Sequence, residues 1–400
     1  MNVLFLTLID FNTFDERNIY CDLLREFIKS GHDVYCISPV ERRRKVSTHF
    51  EANGRILKLK IGNSQKTNVI EKGISTLMME HQFINAIKKY FSDVKFDLVL
   101  YSTPPITLVS AVRYVKNRDN AKTYLMLKDI FPQNAVDIGM MSKSGLCGLI
   151  YRFFRHKEKK LYEISDRIGC MSQANVDYVL KHNPEIPKER VEICPNSIDV
   201  CDIRLSGCER MAMRCKYGLP EDKKLFVFGG NLGKPQDVPF IISCLKRCAE
   251  ITDACFVIAG NGTDRHLFEK YIKEENPSHI KFLGFLPKDE YEEMITCCDI
   301  GLIFLNHRFT VPNFPSRLLS YMQAGLPVLA CTDPNTDVGK VIVDGGFGWW
   351  CESNDCETFY QNIKILCKMD ITASSEKTFE VLKQDYCSDY VYRILDRFIR

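Results

Sequence analysis

Four hundred residues, 45% apolar and 26% charged with a formal net charge of +3, describe an ordinary globular chain too long for one hydrophobic core. No apolar run approaches the roughly 20 residues of a membrane-crossing helix, and Asp10 breaks the opening stretch too early for a secretory leader, so the chain is expected to stay in the cytoplasm. Eighteen cysteines include no Cys-x-x-Cys pair, which argues against a zinc site or a disulfide framework and leaves thiols such as Cys36, Cys170 and Cys331 as small apolar fillers.

Short apolar runs alternate with helical stretches along the chain, the pattern of parallel sheets joined by crossover helices. The first half predicts strands at Val3–Leu8, Asp33–Ser38, Ile56–Ile61, Leu98–Ser102, Thr123–Lys128, Arg167–Met171 and Val191–Cys194. Helices are expected at Arg17–Ser30, Ile74–Phe91 and Leu146–Ile164. Residues 1–200 hold 30 Lys and Arg against 23 Asp and Glu, whereas residues 201–400 hold 24 against 28. A basic first half suits an anionic membrane or a phosphorylated acceptor, and charge alone leaves nucleic acid open. Between residues 145 and 165, Leu146, Leu149, Ile150, Phe153, Phe154, Leu161 and Ile164 recur at helical spacing with Arg152, Arg155, His156, Lys159 and Lys160 interleaved. That stripe reads either as a peripheral membrane contact or as an ordinary core-facing helix.

An interdomain segment is expected near Val200–Leu219, after which strands recur at Leu225–Gly229, Cys255–Ala259, Ile280–Leu283, Ile300–Phe304 and Pro327–Ala330. A final helix is expected over Thr378–Arg400. Three junctions of this second half carry the chemistry. Leu225-Phe226-Val227-Phe228 runs into Gly229-Gly230-Asn231-Leu232-Gly233-Lys234, where glycines let backbone N–H groups approach an anion at the start of a helix expected over Gln236–Ala249. Ala259-Gly260-Asn261-Gly262-Thr263 is the second junction, and the segment from Asn313 to Pro327 is the third. In the third, Pro315-Ser316 is a good helix start with the Ser316 N–H free to meet phosphate, and Arg317 is a fixed cation suited to diphosphate. Parallel sheets bind ligands beyond the carboxyl ends of their strands, so the three junctions should share one rim.

These motifs, in this order, resemble the family 4 glycosyltransferases, which transfer sugars from nucleotide donors. Phe228 to Lys234 resembles the family's donor-diphosphate loop and Val257 to Gly262 its second glycine turn. Phe282-Leu283-Gly284-Phe285-Leu286-Pro287 resembles its nucleobase-side segment, and Pro315 to Val328 its most diagnostic helix. Asp129 to Asp137 and Pro195-Asn196-Ser197-Ile198-Asp199 resemble the branch that builds bacterial surface polysaccharides. The resemblance implies an α/β GT-B fold: two Rossmann-like lobes with parallel sheets facing a central cleft. Residues 1–200 would bind the acceptor and residues 201–377 the nucleotide sugar, with residues 378–400 a crossover helix returning towards the first lobe.

It also implies roles. Gly230, Asn231 and Gly233 would donate amides to the diphosphate, with Gly260 and Asn261 beside them, and Lys234 and Arg317 would supply cations in place of a metal ion. No Asp-x-Asp metal motif is present. Phe285 and Leu286 would pack against the nucleobase of a UDP-sugar, while Asn313 and Phe314 would meet the donor sugar. Lys128 and Asp129 are expected to face the cleft and touch sugar, although Asp129 could equally cap the turn before Pro132. No cofactor beyond the nucleotide-sugar substrate and no nucleic-acid partner is implied; the acceptor would be a saccharide or a polyprenyl-diphosphate-linked sugar. The chain departs from the family where two glutamates usually stand, at Pro312 and Ser320, and Ser320 can offer the ribose only a neutral hydrogen bond. It also lacks a glycine pair after the first strand, where Asn12 to Asn18 could contact the acceptor. Two other readings stay open, a nucleotide-sugar epimerase and a catalytically weak binding subunit of a polysaccharide assembly complex.

Overall fold

A computed structural model describes residues 1–63 and 69–400, with only the backbone described for residues 69–74 and Leu146, whose side chain in the stripe above therefore lies outside the description. The chain divides into two compact units, Met1–Asp199 with Ser388–Arg400, and Val200–Cys387.

The first unit is built on strands β1 (Asn2–Leu6), β2 (Asp33–Glu41), β3 (His49–Glu51), β4 (Ile56–Ile61), β5 (Leu98–Ser102), β6 (Lys122–Leu127), β7 (Arg167–Cys170) and β8 (Val191–Ile193). They form one sheet in the order β3-β4-β2-β1-β5-β6-β7-β8, parallel except for β3, which pairs antiparallel with β4 at one edge. Continuous apolar runs such as Leu98–Ser102, buried at every position, follow from helices covering both faces. The second unit holds β9 (Lys224–Asn231), β10 (Ala254–Asn261), β11 (Ile280–Gly284), β12 (Ile300–Phe304), β13 (Val328–Thr332) and β14 (Gly348–Glu352), all parallel, in the order β11-β10-β9-β12-β13-β14. Strands β3 and β14 escape the sequence reading because both sit at a sheet edge. One is three residues long; the other has only Cys351 buried, so neither shows the apolar run of a central strand.

The helix expected over residues 378–400 is two helices, Thr372–Asp385 and Ser388–Ile399. The break occurs where the Ser388 N–H leaves the helical ladder and donates to the Ile198 carbonyl at 3.1 Å. The last helix belongs to the first unit. Val391 and Leu395 are fully buried in its core, Tyr392 packs edge-on against Phe27 at 4.9 Å, and the Lys122 ammonium caps the carbonyls of Phe398 and Ile399.

Candidate functional site

In the second unit β9 is the hub. It pairs with β10 in register from Lys224 to Asn231, so Gly230 lies opposite Gly260 and Asn231 opposite Asn261. A Cβ on Gly260 would fall 2.1 Å from the Gly230 carbonyl, and one on Gly262 would fall 2.3 Å from that of Leu232. Only glycine allows this approach. The Leu232 N–H donates to the Asn261 carbonyl and the Asp264 N–H returns to Leu232, so the first two glycine junctions are laced together.

The third junction closes on the same strand end. The Arg317 guanidinium lies over the Phe228 ring at 4.6 Å from its centroid, and a Cβ on Gly230 would sit 3.1 Å from its Nη2. Arg317 Nη1 is buried and finds no hydrogen-bond acceptor among the described residues. An unsatisfied buried donor costs about 1–3 kcal/mol, and more when charged, which makes this nitrogen a candidate for an acceptor from outside the fold. Lys234 is exposed in a 3₁₀ turn just after β9, and its carbonyl accepts from Asn306 Nδ2 at 2.9 Å. The amides of Gly233 and Lys234 lie in the same turn, Gly233 as the residue that opens it. Lys234 and Arg317 thus belong to one strand end.

Two details correct the sequence reading. The helix expected from Gln236 begins at Val238 and ends at Arg247, and Asp237, at φ 54°, occupies its N-terminus by accepting from the Phe240 N–H. The amides nearest the end of β9 are therefore those of the preceding turn, not of the helix itself. Phe314, expected at the donor sugar, is buried with its ring stacked near Tyr386 at 6.3 Å. It anchors its loop because the neighbouring backbone is held: Thr336 Oγ1 donates to the Asn313 carbonyl at 2.6 Å, while Asn313 Nδ2 turns back to Val311. Ser316 is exposed and precedes a seven-residue helix, Arg317–Gln323, on which Ser320 is half-buried. Phe285 projects at the end of β11 with 64% of its surface exposed, beside half-buried Leu286.

Sequence reasoning missed the groups that hold these residues. Gly229 has no Cβ because the Tyr291 ring occupies that place, 2.2 Å from where one would stand, and Gly301 likewise admits Tyr321. The Tyr321 hydroxyl accepts from the Gly229 N–H at 3.3 Å and lies within hydrogen-bond reach of the Val227 and Leu302 carbonyls. A glycine inside an apolar strand was the available signal, since it marks a close neighbour. Asp333 was also missed; its carboxylate accepts from the amides of Asn335 and Thr336, and burial pushes its pKa up to about 6.

In the first unit Lys128 and Asp129 follow β6. Thr103 Oγ1 accepts from both their amides, at 3.0 and 3.1 Å, and donates to the Asp129 carbonyl at 2.9 Å. The Lys128 ammonium, expected to touch sugar, is turned to the carbonyls of Cys194 and Pro195 at 3.4 and 3.2 Å, and burial lowers its pKa. Its role is to fasten the segment after β8 to the segment after β6. Burial raises the Asp129 carboxyl to about 6 against the lowering effect of the amide donated by Asn134, so the turn-capping alternative describes only part of its setting. The Asn12–Asn18 loop closes on itself: Asn18 caps the helix Ile19–Lys29 and Glu16 accepts from the Asn12 amide. Beneath it the buried Lys58 ammonium meets the Asp10 carboxylate, the Phe11 carbonyl at 2.8 Å and Ser38 Oγ at 3.2 Å. The helix Gly145–Ile164 divides lengthwise. Leu149, Ile150 and Phe153 are 57%, 50% and 40% exposed, whereas Leu161 and Ile164 are buried. Several of its cations are paired, Arg155 with Glu158, Lys157 with Glu80 and Lys159 with Glu185.

Among the described residues no three His, Cys, Asp or Glu side chains are grouped so as to hold a metal ion, and no helix is long and apolar enough to cross a membrane. The model for glycosyl transferases group 1 matches residues 209–378, and that for glycosyltransferase family 4 matches residues 18–201. A Pseudomonas aeruginosa protein named "Probable glycosyltransferase WbjE" is 25% identical over 83% of this chain and 80% of its own. The crystal structure of Anabaena Alr3699/HepE in complex with UDP superposes with a TM-score of 0.68 at 13% identity, covering 100% of this chain and 99% of that one. WaaG, a glycosyltransferase involved in lipopolysaccharide biosynthesis, superposes with a TM-score of 0.67 at 15% identity, covering 99% of each. The two matched models lie one in each unit, the solved structures share the whole architecture, and the chain belongs to the family 4 glycosyltransferases of GT-B fold.

Proposed function

We propose that the protein transfers a sugar from a UDP-sugar to a saccharide or lipid-linked acceptor in surface polysaccharide biosynthesis, with retention of configuration. The observation that carries the donor half is the buried, unpartnered Nη1 of Arg317 beside Gly230. Cleaving a glycosyl–phosphate bond builds negative charge on the departing diphosphate. Three fixed donors, Arg317 and the amides of Gly233 and Lys234, together with the Lys234 ammonium, stabilise that charge as it forms. A leaving diphosphate oxygen then accepts the proton of the incoming hydroxyl, which removes the need for a separate protein base. Phe285 offers the apolar face that a flat nucleobase needs. UDP in the similarly folded Anabaena structure supports the choice of nucleotide, and the role of WaaG supports the class of product.

On the acceptor side, Asp129 is the remaining candidate for a sugar contact. Exposed Leu149, Ile150 and Phe153 beside Arg152 give the first unit a patch suited to an anionic bilayer surface, where a polyprenyl-linked acceptor would be met. Flotation with anionic vesicles at low salt tests that patch; protein left at the bottom of the gradient removes it. Ser320, a neutral hydroxyl in place of a carboxylate, favours one second reading, a subunit that binds nucleotide sugar with little turnover. Incubation with a panel of UDP-sugars separates these: UDP released only with acceptor supports transfer, binding without release supports the second reading, and an isomerised sugar refutes both.

A further inference from the structure

Most of the cysteines do what small apolar side chains do, but two of them are placed differently. Cys244, fully buried on the helix Val238–Arg247, brings its Sγ to 3.5 Å from Cys356 Sγ, which is half-buried at the first position of the helix Cys356–Lys368. A disulfide needs about 2.05 Å, so about 1.5 Å of approach closes the pair. We infer that Cys244 and Cys356 form a reversible oxidation site for peroxide, with Cys356 the attacking thiol and Cys244 the resolving one.

Three observations set this pair apart. Cys356 accepts the Cys244 S–H and opens a 13-residue helix, and this hydrogen bond holds its thiol below the ordinary range while burial pushes that of Cys244 up. Cys356 can be reached by solvent, whereas the adjacent pair Cys297 and Cys298, and the cross-strand pair Cys331 and Cys351, are buried. Cys147, Cys201, Cys208 and Cys215 are exposed, so the buried-and-reachable arrangement is not found among them. Among the described residues no third ligand joins the pair, which favours oxidation over metal capture.

The chemistry balances with peroxide as oxidant. The Cys356 thiolate attacks one peroxide oxygen, breaking the O–O bond and releasing hydroxide, and becomes a sulfenic acid. Cys244 Sγ then attacks Cys356 Sγ and expels the hydroxyl, which leaves as water with the Cys244 proton. Two thiols lose two electrons and the peroxide becomes two waters. The bond would tie the helix that follows the Lys234 turn to the helix Cys356–Lys368.

The test is to treat the full chain with equimolar hydrogen peroxide, block remaining thiols with iodoacetamide and map the peptides by mass spectrometry, with and without dithiothreitol. A Cys244–Cys356 linked peptide, at least tenfold above any other linkage and lost on reduction, is expected. In Cys244→Ser, Cys356 should instead be trapped as its dimedone adduct. Blocked but unoxidised Cys356 in the wild type, or Cys356 linked elsewhere, overturns the assignment. The wild-type map decides alone if the variant does not fold.

Discussion

In the second unit the guanidinium of Arg317 is pressed between Phe228 and Gly230 with one nitrogen left without an acceptor among the described residues. In the first unit the ammonium of Lys128 is returned to two backbone carbonyls, and that of Lys58 to Asp10, Phe11 and Ser38. Both regions lie at the carboxyl ends of parallel strands and both bury cations. They differ in who completes the hydrogen bonds. Burial without an acceptor is not by itself a ligand signal, since Arg55 Nη1 and Arg190 Nε of the first unit share it; at Arg317 it coincides with the glycine junctions, and that coincidence supports the proposed anionic ligand.

The largest effect that could break this contrast is on turnover. Arg317→Ala should lower kcat by about 100-fold or more, as loss of one charge-stabilising donor does, with weaker UDP binding by calorimetry. Lys128→Met should instead lower the melting temperature and leave UDP affinity unchanged; equal loss of UDP binding in both variants would erase the distinction. Gly229→Ala comes next. Its methyl would meet the Tyr291 ring, and overpacking of this kind costs about 1–3 kcal/mol, read as a lower denaturation midpoint. Pairing it with Tyr291→Ala should relieve the clash. Lys58→Met should cost about 2 kcal/mol by leaving the Phe11 carbonyl without this donor and Asp10 with Arg44 alone, again without touching UDP affinity.

The smallest effect concerns pH. The Asp129 carboxyl rises to about 6 in the fold from an ordinary 3.8. Between those values the native state holds a proton that the unfolded chain has released, so this group's cost to stability is full above pH 6 and fades as pH falls towards 4. Asp129→Asn should therefore be the more stable protein at pH 7, by roughly 1–2 kcal/mol, with the gap closing near pH 4. A gap that does not vary with pH would show that Asp129 is not buried as described.

The gathering of the glycine junctions and Arg317 at one strand end was legible in the chain because glycine, lysine and arginine at strand ends have local meanings. Gly230, Gly233, Gly260 and Arg317 were named from spacing and helix-start rules, and they meet at the end of β9. Where Phe314 and Lys128 point was not legible, because polar or aromatic character says nothing about which way a side chain turns. Phe314 went to Tyr386 and Lys128 to carbonyls 66 and 67 positions away, partners no local pattern reveals. The break before Ser388 escaped for the same reason, since its acceptor, Ile198, is nearly 200 residues distant.

Alternating apolar runs and helices, set by side-chain periodicity and backbone sterics, were enough to determine two parallel α/β units and the strand ends where ligands gather. Which buried charges are neutralised within the fold, and which glycines make room for Tyr291 and Tyr321, was decided only by tertiary packing. Those outcomes depend on which groups meet across long stretches of chain, and the free energy of a buried polar group is set by its neighbours in space.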